Sequence, residues 1–232
     1  NNIEVSKQLF QQSAYNIGNI FSEIQKLSYQ FLSDKNLKSS TGKLMITEKM
    51  NACDAIRNYI LNSDYVTELA FYSAREDKIY FSSGTSEPEI YFDKVYQYED
   101  FDLGNFYQAA ESLIYPAGMV KNVTAMWNPP QQMVVVMAPL AGCAFENVIF
   151  HVPLAAITAF ADELLWDTSV VLEFYFNGDK IYTNGQGEDT ARMVDWQEIG
   201  EEQGAINTKV DGNQMTLLYT PEDSLIQIVL HR

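Results

Sequence analysis

Two histidines, His151 and His231, and two cysteines, Cys53 and Cys143, are the chain's side chains best suited to nucleophilic or metal chemistry. A nucleophilic hydrolase needs a base beside its serine or cysteine. Neither histidine falls in a GxSxG, HExxH or phosphate-loop spacing. The cysteines belong to no CxxC or Cys/His ligand pattern, so no metal site is expected. They read as two unpaired, half-buried thiols, with a single disulfide as the alternative. Gly185-Gln186-Gly187 is followed by Glu188 and Asp189, whose charges would repel a phosphate. A carboxylate pair of the glycosidase kind would have to be assembled by geometry, and the acidic residues fall mostly in loops. The sequence therefore predicts a protein without catalytic activity and without a cofactor.

The charge balance narrows the partners. Thirty-one acidic against fifteen basic residues give a formal charge of −16, with no basic cluster to interrupt it. That excess repels polyanions, so nucleic acid and anionic lipid surfaces are excluded as partners. A hydrophobic content of 47% is ample for a packed core in 232 residues. The longest apolar run, Met133 to Phe145, is too short to span a membrane. With no signal peptide and no initiating methionine, the chain reads as an excised soluble piece of something larger.

The elements that must position any site follow from periodicity. Phe10, Ser13, Ile17, Ile20, Ile24, Leu27 and Phe31 alternate by three and four, the seam of a long helix. Tyr15, Phe21 and Tyr29 widen its apolar surface, so it is expected both to lie on its own core and to pair with a second subunit. A second helix is predicted from Thr47 to about Leu61, with Met50, Ile56 and Ile60 as its buried stripe. Val66 to Ser73 and Ile79 to Ser83 form a hairpin. Ser86 to Asp102 is an acidic, tyrosine-rich connection without period, and Leu103 to Leu113 returns to helix. Asn122 to Trp127, Gln132 to Leu140 and Phe145 to Val152 are strands. Pro153 opens a helix carrying Leu154, Ile157, Phe160, Ala161 and Leu164.

After Trp166 the pattern restarts in miniature. LEFYFNGDKIYTNG (Leu172 to Gly185) echoes LAFYSAREDKIYFSSG (Leu69 to Gly84), with DKIY displaced by 102 residues. Asn177-Gly178 is a strong two-residue turn signal. Three more short strands end the chain. The order of helix, two strands, crossover and three strands occurs twice, which indicates duplication of an α+β module.

This arrangement resembles the double Cache sensor domains of bacterial transmembrane receptors over essentially the whole chain. The resemblance implies a stalk helix over 1–38, a membrane-distal PAS-like module over 39–152, a connecting helix over 153–168 and a smaller proximal module over 169–232. Each module would hold an antiparallel sheet of about five strands. It further implies an extracytoplasmic domain of a histidine kinase or AraC-type receptor, homodimeric through its first helix, with a small-molecule ligand in the distal module. Members that bind amino acids use an Arg-x-Trp-Tyr-x-x-Ala run, with a later aspartate for the ammonium group. Here Phe106, Tyr107 and Ala110 fit that run, while Gly104 replaces the arginine and His151 the aspartate. Glycine cannot imitate a bidentate guanidinium, so a typical α-amino acid is not expected. Tyr72, Tyr80, Phe106, Tyr107, Tyr115, Trp127 and His151 are the candidate ligand-binding residues, suited to a carboxylate or aromatic ligand. Each aromatic taken singly reads more readily as core, and His151 as a solvated strand end or a local hydrogen-bond partner. A ligand-free dimerisation spacer or partner-binding ectodomain is the alternative reading.

Overall fold

In the computed structural model the amino-terminal periodicity becomes one helix, α1 (Asn2–Ser33). The structure describes residues 2–34, 46–126, 128–140, 146–164, 170–176, 178–185, 204–210, 213–220 and 226–231. The chain divides into two compact units, Ser22–Ala156 on the one hand and Asn1–Phe21 with Ile157–Arg232 on the other, and α1 contributes to both. All seven seam residues from Phe10 to Phe31 are buried, whereas Tyr15 and Tyr29 are 68% and 72% exposed. The three-four spacing thus serves the chain's own cores, and the two tyrosines stand on its outer face.

In the larger unit α2 (Ile46–Leu61) buries Ala52, Cys53, Ala55 and Ile56. Met50, expected in the buried stripe, is 62% exposed, and Ile60 is only half-buried. Small residues let the helix approach closely: the Cys53 thiol donates to the Gly84 carbonyl at 3.2 Å. Cys53 is a buried free thiol, and Cys143 lies outside the described residues.

The strands β1 (Glu68–Ser73), β2 (Lys78–Phe81) and β3 (Gly84–Ser86) lead into α3 (Pro88–Ile90), which runs on as a π-helical turn over Tyr91–Val95. Then come β4 (Tyr96–Tyr98), α4 (Leu103–Ser112), β5 (Ala117–Ala125), β6 (Gln131–Pro139) and β7 (Asn147–Pro153). The antiparallel order is β3-β2-β1-β7-β6-β5-β4. The five longer strands are the expected sheet, and β3 and β4 add a three-residue edge at each side. Two sequence expectations change here. The connection read as periodless from Ser86 to Asp102 is a folded cover that buries Tyr91, Phe92, Val95 and Tyr98. Pro153 ends β7, opposite Met133, instead of opening the next helix.

That helix, α5 (Leu154–Thr158), continues as a 3-10 turn over Ala159–Leu164. The smaller sheet contains β8 (Val171–Phe176), β9 (Asp179–Thr183), β10 (Gly204–Val210), β11 (Asn213–Tyr219) and β12 (Ile226–His231). Its order is β10-β11-β12-β8-β9. Read from the hairpin outward, both sheets run second strand, first, last, fourth, third, so the duplication inferred from DKIY extends to topology. Within the smaller unit Phe21 of α1 packs on Phe176 of β8, ring centres 5.5 Å apart, and Ser13 donates to the Phe160 carbonyl.

Candidate ligand site

Alternation along β1 sends Leu69 and Phe71 to one face of the larger sheet and Glu68, Ala70 and Tyr72 to the other. Glu68 lies opposite His151, Ala70 opposite Ile149 and Tyr72 opposite Asn147 on β7, so these residues share a face. Val135 and Met137 of β6 extend it. Three elements cover that face: the π-helical turn with Tyr91, Phe92 and Val95, β4 with Tyr98, and α4 with Phe106 and Ala110. Asp102 caps α4 by accepting from the Asn105 amide at 2.9 Å, while the Asn105 side chain accepts from the Asp102 amide at 3.0 Å. The four-residue spacing of Phe106 and Ala110 points both at the sheet.

Aromatic edges and faces fill the interior. The Phe106 ring meets Tyr72 at 5.0 Å in a T-shaped contact and Phe92 at 4.8 Å. Phe81 and Tyr91 close the next layer at 5.5 Å. Such offset and edge contacts each add about 0.5–1.5 kcal/mol to ordinary burial.

Two polar centres adjoin this apolar layer, one buried within it and one exposed at its rim. In the first, His151 is buried and its Nε2 shares a 2.6 Å hydrogen bond with the Tyr98 hydroxyl. The rings of Tyr96 and Tyr98 stack on the imidazole at 5.3 and 5.7 Å. Tyr96 donates to Glu68 at 2.7 Å, and the Ser82 hydroxyl donates to the same carboxylate at 2.9 Å. His151 Nδ1 has no hydrogen-bond partner among the described residues. Burial pushes the imidazole pKa down to about 4, against an upward pull from the Glu68 main chain, so the ring is neutral at pH 7. Burial likewise raises the Tyr98 phenol, which stays a neutral donor and acceptor. The second centre is the Asp77 carboxylate at the β1–β2 turn, which accepts from Tyr72 at 3.2 Å and from Tyr107 of α4 at 3.0 Å.

Of the seven residues expected at a site, Tyr72, Phe106, Tyr107 and His151 stand on this face or its cover. Tyr80 does not: it pairs with Phe71 in register, stacks on that ring at 6.1 Å and belongs to the opposite face, where its hydroxyl donates to Glu76. Tyr115 is 74% exposed beyond the end of α4. Trp127 lies outside the described residues. His151, for which a solvated strand end was one reading, is buried. Sequence reasoning passed over Glu68, Tyr91, Phe92, Tyr96 and Tyr98. The two-residue spacing of Tyr96 and Tyr98 was the available signal for a short strand facing one way. Elsewhere in this unit an open groove of about 440 Å³ runs along α2, lined by Asp34, Asn51, Asp54, Asn58, Tyr59 and Asn62. Among the described residues no group of three or more His, Cys, Asp or Glu side chains could hold a metal ion.

No family model and no curated protein sequence matches this chain. Solved structures do. The periplasmic sensory domain of the Campylobacter jejuni chemoreceptor Tlp1 matches with a TM-score of 0.60 and 13% identity, over 98% of this chain and 93% of that one. The ligand-binding domain of the Pseudomonas aeruginosa PAO1 amino acid chemoreceptor PctC, in complex with GABA, matches at 0.55 and 13%, over 100% and 99%. The extracellular domain assigned to the histidine kinase rpHK1S-Z16 matches at 0.57 and 11%, over 97% and 92%. This chain therefore shares the fold of these bacterial sensory domains, a long amino-terminal helix with two antiparallel sheets, as the double Cache resemblance implied.

Proposed function

We propose that the chain is an extracytoplasmic small-molecule sensing domain of a transmembrane receptor, with a histidine kinase or AraC-type regulator as output. The ligand is held in the larger module, the membrane-distal one, between its sheet and α4. The observation that carries this reading is the His151–Tyr98 centre: a neutral, hydrogen-bonding pair with an unmatched ring nitrogen, set in an aromatic layer beneath the π-helical turn, β4 and α4. Buried polar atoms are rarely left unmatched unless they serve a purpose. Matching structures support an extracytoplasmic setting, and no described helix is long and apolar enough to cross a membrane.

PctC was solved with GABA and the Tlp3 sensory domain with isoleucine. This chain has Gly104 where the resemblance puts a carboxylate-gripping arginine, and Glu68 and Asp77 flank the face with negative charge. Both features disfavour a carboxylate and an α-amino acid, and favour a weakly charged aromatic compound that stacks on Tyr72 and Phe106 and bonds to His151. Tyr107, Phe106, Tyr72 and His151 are the contacts to test.

A thermal-shift screen over aromatics, amines, sugars and carboxylates tests the reading. A ligand at a hundred times its Kd stabilises the native state by about 2.7 kcal/mol. Saturable stabilisation by an aromatic compound, lost in Tyr107→Ala, is the expected result. A second reading, a ligand-free spacer that dimerises through α1 or docks a partner protein, is favoured by one observation: Phe106 and Tyr91 are fully buried, so the face is filled by its own rings. Silence across the whole panel would decide for that reading.

A further inference from the structure

We propose that Asp77 is a positioning residue that locks α4 over the sheet, so that its carboxylate sets how readily the site beneath opens. This rests on the sensor reading of the larger module.

The inference starts from a difference between the two hairpins. In β1–β2 the last pair is Ser73 with Lys78, and in β8–β9 it is Phe176 with Asp179. In both, the residue just before the returning strand is left-handed: Gly178 at φ 83° and Asp77 at φ 49°. Glycine adopts that conformation freely, and aspartate, like asparagine, tolerates it at a modest cost. The second hairpin places glycine there, and the first places a carboxylate.

What the carboxylate does is visible in the contacts. One Asp77 oxygen accepts the hydroxyls of Tyr72 on the sheet and Tyr107 on α4. Tyr107 is half-buried and adjoins Phe106, whose ring is packed against Tyr72 and Phe92, so the bond to Asp77 ties down the same turn of α4 that fills the face. Burial and the Asp77 charge push the Tyr107 phenol up to about 12, which keeps it a donor throughout the neutral range. A second tie from α4 to the sheet, Asn147 Nδ2 to the Ala110 carbonyl, is longer at 3.4 Å. A hydrogen bond to a charged acceptor is stronger than one between neutral groups.

Amide hydrogen exchange of residues 103–112 reads the lock directly, without any ligand. Asp77→Gly keeps the turn geometry and deletes the acceptor; α4 exchange should rise about ten-fold, with β6 and β7 unchanged. Asp77→Asn, which tolerates the left-handed backbone and leaves a neutral oxygen, should restore most of the protection. Tyr107→Phe should match Asp77→Gly, and the double variant should add little to either. Unchanged α4 exchange in Asp77→Gly, additive single effects, or acceleration spread equally over β6 and β7 would each overturn the proposal. Failure of the ligand screen with a positive exchange result would remove the sensor reading and leave the lock as a packing device. The reverse pattern would leave a sensor without it.

Discussion

The two sheets have the same strand order but use the same position differently. The chain's only two histidines, His151 and His231, both sit on the last strand of their sheet opposite the start of the first, paired with Glu68 and Val171 respectively. Two residues inward, the larger sheet pairs Ala70 with Ile149, and the smaller pairs Glu173 with Val229. His151 therefore faces phenols in an aromatic layer, whereas His231 lies 3.8 Å from a buried carboxylate that also has Lys180 at 3.7 Å and the Tyr175 hydroxyl at 3.1 Å. Topology survived duplication while side-chain chemistry did not. An aromatic face whose one carboxylate, Glu68, is held by Tyr96 and Ser82 can trade ring for ring and suits a ligand, whereas a face tied by buried charges suits a fixed support.

The most severe test of that contrast is to empty the aromatic layer. Phe106→Ala should destabilise the larger module by about 3–5 kcal/mol, because the ring is fully buried and its neighbours on the sheet cannot close the gap. Urea denaturation followed by circular dichroism measures it. A loss below about 1 kcal/mol would mean that α4 collapses easily onto the sheet, and the layer would then be packing without a defined shape.

Acid comes next. The unfolded chain carries histidine at its ordinary pKa of about 6.5, while native His151 titrates near 4. Between those values the unfolded state binds a proton that the native state does not. Stability from this group is therefore complete above about pH 6.5 and is lost as pH falls towards 4, on the order of 3 kcal/mol in all. Burial also lowers His231; Glu173 pulls its pKa back up and Lys180 pushes it down, so its contribution has the same sign and should be smaller. Denaturation at pH 7.5, 5.5 and 4.5 should show a flattened slope in His151→Gln and a lesser flattening in His231→Gln. Equal effects would erase the distinction between the two faces.

Charge removal in the smaller sheet should matter less. Glu173→Gln keeps the volume and a hydrogen-bond acceptor for Tyr175, but takes the negative charge from between Lys180 and His231. A loss of about 1–3 kcal/mol is expected, read by the same denaturation. A stabilising effect would show that the buried carboxylate is there for something other than holding the sheet.

What the sequence revealed followed periodicity closely. The α1 seam was legible because burial on a helix repeats every three to four residues, and every one of its positions is buried. The duplicated hairpin was legible because the DKIY run recurs at its returning strand, although the two turns differ in length. Tyr80 was misplaced because its face depends on register: a four-residue connection between Ser73 and Lys78 sets it beside Phe71, and a one-residue slip would have turned it over. The α2 stripe was misread at Met50 because size was taken for burial, while Ala52, Cys53 and Ala55 let the helix sit close. Tyr91, Phe92 and Val95 were invisible as a cover because a π-helical turn repeats with neither the strand nor the α-helix period. The polar centres needed strand pairing before Glu68 and His151 could be seen as neighbours.

The smallest expected effect isolates the hairpins. At Gly178 an added Cβ would meet nothing within 4 Å, so any penalty for Gly178→Ala comes from forcing a side chain to φ 83° and not from a clash. That backbone term should cost about 1 kcal/mol. Gly178→Asn should cost less, since a short amide side chain tolerates the left-handed region. Asp77→Gly should run the other way locally, gaining backbone ease while losing two tyrosine donors, so its net change in denaturation should be small even as α4 loosens. If Gly178→Ala and Asp77→Gly both proved neutral by every measure, the two turns would be interchangeable. The aspartate in the first hairpin would then have no role that glycine could not fill.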